Sequence, residues 1–367
     1  MYTYCKNDIE YNIKKKMRIG ILTFHRANNY GAVLQSLALQ EKLIQLGYDV
    51  SIIDYRQKAI ECNYNPIKWH IILGALRRPR LFLGYFFKAL PTLFKTAKQY
   101  NRFRRRYLKC TKIVKPNNLV PQNFDIYMIG SDQLWNIDCT KEIDENYFGM
   151  FDHPKDSLIV GYAISTNPKS IEIIGYEKIA SYMQKFSVVS FREQTIHDLI
   201  LKKTGLISRV DIDPTLLLDK AYWENMIWLD CYSKKYILTY FLERHDEEEL
   251  HKAINRFAID KGLQIIDIYD VAKSPDTFLT YIYNAEYIFT TSFHAVVFSL
   301  IFEKKFYAIK SEEDHRYANL LQLVGVSDRL VNHDEFESVK PLNYVDIKCR
   351  IEREKSSSID YLRKLRQ

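Results

Sequence analysis

Residues 287 to 302 constrain the fold of this 367-residue chain more than any other stretch. Tyr287-Ile288-Phe289 is a short apolar run, and Thr290-Thr291-Ser292 are small hydroxyl residues. Phe293-His294 then opens a segment with apolar residues at helical spacing. A strand that is apolar on both faces is buried when helices cover both sides of a parallel sheet. The same order occurs near the beginning of the chain. Residues 18–24 read as a buried strand, and His25 to Gly31 form a polar turn. A helix is expected from about Ala32 to Leu46, closed by Gly47, with the next strand at 48–54. That is a βαβ opening.

Further strands are expected at 124–129, 158–164, 186–191, 209–213, 236–241, 264–268, 286–290 and 305–309. Helices are expected at 246–261, 275–284, 294–302 and 316–324. Strand and helix alternate twice over. The predicted fold class is therefore α/β, with two Rossmann-like domains facing a cleft. Residues 1–16 are polar and basic and read as a disordered extension, with Met17 as a candidate start. The first domain is expected to span 17–204, with a basic amphipathic insertion at 66–109. The second domain is expected at 205–330. A helical tail at 331–367 is expected to pack back on the first domain.

Composition narrows the function classes. The chain is 47% apolar and 27% charged, as globular proteins are. Six scattered cysteines without a CxxC pair fit reduced thiols in a cytoplasm, rather than a disulfide framework or a zinc site. No apolar run is long enough for a transmembrane helix. The net charge of +8 is local: Pro66 to Lys109 carry twelve Lys and Arg and no Asp or Glu. Aromatic and aliphatic residues interleave with these cations, as in helices lying on anionic lipid. A solvated basic hairpin, or a nucleic-acid patch, has the same composition.

Four strand-to-helix loops could carry chemistry. Gly31 in Asn28-Asn29-Tyr30-Gly31 lets a ligand approach the backbone at a helix N-terminus, which favours anions. Without GxGxxG there is no dinucleotide fingerprint, and the loop reads equally as a βα turn with Asn caps. In Gly130-Ser131-Asp132-Gln133-Leu134-Trp135-Asn136, Asp132 and Asn136 suit sugar hydroxyls and Trp135 suits a sugar ring. Here too Asp132 could simply cap a helix and Trp135 fill the core. In Ser190-Phe191-Arg192-Glu193, Arg192 can grip phosphate or carboxylate, or merely pair with Glu193. His294 can hold a phosphate or move a proton, or sit buried and cap its own helix. Asp213-Pro214-Thr215 reads as a structural turn in which Asp213 caps.

In this order, these motifs resemble the polysaccharide pyruvyl transferase family. The resemblance rests on Asn28-Asn29-Tyr30-Gly31 with Leu34 and Gln35, on Gly130 to Asn136, and on Ser190 to Glu193. It continues through Asp213-Pro214-Thr215 to Ser292-Phe293-His294, and so runs from about 17 to 330. It implies a fold similar to GT-B glycosyltransferases, with phosphoenolpyruvate as donor and no other cofactor. It implies a sugar diol of a capsule or exopolysaccharide glycan as acceptor, and a cyclic pyruvate ketal as product. Arg192 and His294 match family positions that hold phosphoenolpyruvate. Many members carry Arg two positions before the histidine, where this chain has Ser292. Lys310 or Arg316 is expected to replace that cation.

The expected substrate-binding set is therefore Arg192, Ser292, Phe293, Asn29, Tyr30, Gly31, Trp135, Asn136, Lys310 and Arg316. His294 and Asp132 are the candidate acid and base. No metal-ligating cluster is visible, and metal-independent activity is expected. The acceptor is expected to be linked to a polyprenyl carrier. The enzyme would be cytoplasmic and would meet that acceptor at the inner membrane face through residues 66–109. The rival enzymatic reading is a GT-B glycosyltransferase with a nucleotide-sugar donor. A non-catalytic membrane or nucleic-acid binding protein is the other.

Overall fold

A computed structural model describes residues 16–65, 67, 87, 89–115, 123–228, 234–242, 248–310, 316–332, 335–336 and 340–366. The expected disordered extension, apart from Lys16, lies outside the described residues. So does most of the basic insertion before Ala89.

The apolar runs assemble into two parallel sheets. The first has seven strands in the order β3-β2-β1-β4-β5-β6-β7. They are β1 (Arg18–Leu22), β2 (Asp49–Tyr55), β3 (Cys110–Val114), β4 (Ile126–Asp132), β5 (Leu158–Ile164), β6 (Val188–Phe191) and β7 (Arg209–Val210). The second has five in the order β12-β11-β10-β8-β9. They are β8 (Tyr236–Tyr240), β9 (Gln264–Asp267), β10 (Tyr287–Thr290), β11 (Lys305–Ile309) and β12 (Leu330–Val331). Every residue of β4 and β8 is buried, as expected of central strands covered on both faces.

The helices used below are α1 (Tyr30–Gln45), α2 (Lys58–Tyr64), α3 (Leu90–Tyr107), α4 (Gln194–Thr204), α5 (Glu248–Lys261), α6 (Pro275–Asn284), α7 (Phe293–Ile301), α8 (Arg316–Leu323) and α9 (Tyr344–Lys364). No described helix is long and apolar enough to cross a membrane. Helix α9 spans the two halves. Tyr48 Oη donates to its Leu362 carbonyl at 2.8 Å, and its Tyr361 ring stacks on Tyr162. Its Lys355 pairs with Asp219.

Two strands, β3 and the two-residue edge strand β12, have no counterpart among the expected ones, and a third, β7, lies in the other sheet from the one expected. The basic insertion ends in β3, which pairs with β2 at the sheet edge. Half-exposed and only five residues long, β3 has too little apolar periodicity to be read from sequence. The expected domain boundary at 204/205 is also too early, because β7 pairs with β6 in the first sheet. Gly205, at φ 71°, ends α4 in the left-handed conformation, and the chain returns to the same sheet edge.

The strand orders locate the crevices. In the first sheet the order reverses between β1 and β4; in the second it reverses between β8 and β10. Ligands of open α/β sheets bind beyond the strand carboxyl ends at such reversals. There the loops after β1 and β4 lie in one domain, and the turn from β10 into α7 lies in the other.

Candidate active site

The functional side chains stand where strands end. Ser165 follows β5, Arg192 and Glu193 follow β6, Asp213 follows β7, and Phe293-His294 open α7 after β10. Ser292 is the cap of α7: its Oγ accepts from Ala295 N at 3.4 Å. His294 is thereby spared from capping. Its ring crosses to the other domain, where Nε2 lies 3.6 Å from Asp213 Oδ2. It leans on the start of α1 so closely that a β-carbon on Gly31 would fall 1.9 Å from its Nδ1. Only glycine leaves room for the imidazole here, so Gly31 serves by the absence of a side chain.

Arg192 sits at the centre of a buried network. Its Nη1 donates to Asp213 Oδ2 at 2.8 Å, its Nε to Glu193 Oε1 at 3.0 Å, and its Nη2 to Ser165 Oγ at 2.8 Å. Ser165 in turn donates to Glu193 Oε1 at 2.8 Å. The guanidinium lies 4.1 Å from the Phe293 ring centroid, a cation–π contact across the domains. Asp213 Oδ1 accepts from both Thr215 N and Thr215 Oγ1, so its other oxygen faces Arg192 and His294.

Burial by itself would push the Asp213 carboxyl upward. His294, Arg192 and the Thr215 hydroxyl outweigh burial and hold it well below the usual carboxylate range. Burial pushes Glu193 up despite Arg192, and its Oε2 makes no hydrogen bond among the described residues. Two oppositely perturbed carboxyls flanking one guanidinium are the kind of environment found where protons are moved.

Several expected ligand contacts have other partners. Trp135 is a core residue, 1% exposed: its ring stacks on Phe148 and its Nε1 donates to the Tyr147 carbonyl at 2.8 Å. It offers no face to a sugar. Tyr30 joins the two domains, stacking on Phe278 at 4.6 Å and donating to the Ala272 carbonyl at 2.8 Å. Asn29 caps α1 through Ala32 N, and Asn136 caps the turn at 137–140 through Asp138 N. Asp132, buried with φ 91°, accepts from Gln133 N at 2.8 Å, and its charge acts on Arg192. Arg192 itself spends three of its N–H groups on protein partners, two of them carboxylates. It can meet an anion only through the N–H groups left over.

Lys310 pairs with Glu335 at 3.6 Å. Arg316 instead lines a cavity between the domains together with Arg192, Asp213, Phe293 and Asn319. With the Gln133 amide oxygen turned toward it, Arg316 Nε donates there at 3.0 Å, bridging the β4 loop and α8. Of the two candidate cations, Arg316 is the one at the site. Sequence reasoning underrated Asp213 and missed Ser165. The Asp-Pro-Thr turn was legible as a cap, and it is one; nothing local announced its second oxygen. Ser165 has no signal in the sequence beyond its place after a strand.

The polysaccharide pyruvyl transferase family model matches residues 29–313, from the α1 cap to beyond β11. No curated protein matches this chain. Among solved structures, the S. aureus MnaA–UDP co-structure is 10% identical, covers 92% of this chain and 87% of its own, and has a TM-score of 0.46. The E. coli heptosyltransferase WaaC with ADP is 11% identical over 92% of this chain and 100% of its own, at 0.39. The glycosyltransferase SnogD from Streptomyces nogalater is 10% identical over 96% and 99%, at 0.42. The matched span contains the His294, Asp213 and Arg192 cluster and the loop after β4, and this chain belongs to the polysaccharide pyruvyl transferase family of transferases.

Proposed function

We propose that this enzyme moves the pyruvyl group of phosphoenolpyruvate onto two hydroxyls of one sugar in a lipid-linked glycan repeat unit. His294 gives a proton to the methylene carbon. The first sugar hydroxyl adds to the central carbon and loses its proton to a base, for which Asp132 is the candidate. The bond to the phosphate oxygen breaks and inorganic phosphate leaves. The second hydroxyl then closes the ketal and gives up its own proton. The observation that carries this reading is the meeting of His294, from the second domain, with the Asp213–Arg192 pair of the first. Arg316 beside them supplies the cation absent at Ser292 and faces the anionic donor.

In thermal unfolding, phosphoenolpyruvate is expected to stabilise the chain and nucleotide sugars to leave it unchanged. Arg316→Ala should weaken the donor effect, and Lys310→Ala should not. Stabilisation by a nucleotide sugar alone would favour the glycosyltransferase alternative.

The acceptor would be met at the cytoplasmic membrane face, through the basic segment 66–109. Its composition supports this, twelve cations interleaved with aromatic residues and no acids. The protein should then sediment with anionic liposomes at low salt and be released by high salt. Failure to sediment at low salt would remove the membrane from the proposal.

A further inference from the structure

The loop that meets His294 through Gly31 also borders a second cavity, of about 340 Å³, through Asn28. Arg26, Arg56, Tyr64, Asn101 and Arg104 also line it, together with Glu61. It lies between the β1 loop, α2 and α3. The charges around it do not balance. Asp54 accepts from Arg26 Nε at 2.7 Å and from Arg56 Nε at 3.0 Å, and Arg56 Nη1 reaches Glu61 at 3.2 Å. His25 also contacts Asp54, but burial lowers its pKa and favours the neutral ring. Among the described residues, three guanidinium groups thus stand beside two carboxylates.

The cation left over is Arg104. It is 6% exposed, yet its described partners are neutral: three oxygens and the Tyr100 ring, whose centroid lies 5.8 Å from the guanidinium. Nη2 donates to Asn28 Oδ1 at 2.9 Å and to Asn101 Oδ1 at 3.0 Å, and Nη1 to the Ala27 carbonyl at 3.4 Å. Its Nε makes no hydrogen bond among the described residues. Burial, and then the Arg26 charge, bring its pKa down to about 10, so it stays cationic at neutral pH. Holding a guanidinium in such a place without a counter-anion is costly, and an oxyanion in the cavity would relieve that cost. Guanidinium forks and amide groups match the oxygens of a phosphate.

We propose that this cavity is an anion subsite in which Arg104, flanked by Arg26 and Arg56, holds a phosphate-class oxyanion carried by the acceptor. That the ligand is the acceptor rests on the pyruvyl-transfer reading; that the site takes a phosphate does not. From Asn28 to Gly31 the backbone spans at most about 10 Å, so one or two sugar units could link this anion to the hydroxyls at His294.

Because Arg104 also ties down the Ala27–Asn28 loop, its removal would confound folding with binding. The exposed Asn101 is the better position: Asn101→Asp places a resident carboxylate against Arg104 Nη2. Calorimetric titration of the full chain with inorganic pyrophosphate is expected to show binding that persists in His294→Ala. In Asn101→Asp it should weaken roughly tenfold or more, with no loss of melting temperature. Glucose 1-phosphate should bind the wild type more tightly than inorganic phosphate does, and glucose not at all. Unchanged pyrophosphate binding in Asn101→Asp, or loss in His294→Ala instead, would overturn the subsite. Inorganic phosphate binding as tightly as glucose 1-phosphate would overturn its assignment to the acceptor. These are binding measurements, and they hold whatever the enzyme proves to transfer.

Discussion

His294→Ala is expected to lower turnover about 10²-fold or more, while the folded protein persists. The fold should survive because the imidazole caps no helix and is not the only cation partner of Asp213. Ser292 caps α7, and Arg192 remains as partner of Asp213. Chemistry should suffer because no other described histidine stands by Asp213, whose Oδ2 lies 3.6 Å from the His294 ring. The loss should fall mainly on kcat, since in the proposed reaction Arg192 and Arg316 are the cations that face the donor. Steady-state kinetics with phosphoenolpyruvate and a glycan acceptor separate the cases. Turnover within a few-fold of the wild type would take His294 out of the mechanism. A rise in the donor KM at unchanged kcat would make it a phosphate ligand rather than an acid.

Asp213→Asn is expected to cost about 3 to 5 kcal/mol of stability at neutral pH and to remove activity with it. The carboxylate is fully buried between Arg192 and His294, and losing it leaves the guanidinium with Glu193 as its one ion-pair partner among the described residues. The dependence on pH has a definite sign. The folded-state pKa of Asp213 lies below its unfolded value, so its contribution is complete above the ordinary carboxylate range. It is lost as pH falls below about 4. Chemical denaturation of both proteins should therefore show a large gap at pH 7 that narrows in acid. A gap that stays constant from pH 7 to 3 would mean that the ionised carboxylate is not the source of the stability.

Much of the fold could be read in the sequence because its signals are local. The strand at 158–164 and the helix at 275–284 have the expected bounds, since uninterrupted apolar runs and helical spacing need no partner to be recognised. The short strands β3 and β12 could not be read so, because each is defined by the sheet edge it joins; β7 could be read as a strand, but not as part of the first sheet. The site was legible to a lesser degree. A histidine after a strand, an arginine after a strand and a glycine opening a helix are visible as candidates. Trp135 and Tyr30 show the limit: an aromatic residue beside a polar loop has the same sequence whether it faces a ligand, the core or another domain.

By itself the sequence determined two things. Doubly apolar strands alternating with helices require covered parallel sheets, and parallel sheets put their connecting loops at the carboxyl ends of strands. The order of those loops carries the family. The tertiary structure alone decided how the loops are used. It set His294 of one domain against Asp213 and Gly31 of the other, 81 and 263 positions away in the chain, and it put Arg316 in the lining of the cavity beside them. The reason is physical. Whether a charge is spent on a neighbour or left for a ligand depends on what lies within a few ångströms in three dimensions, and no spacing along the chain encodes that distance.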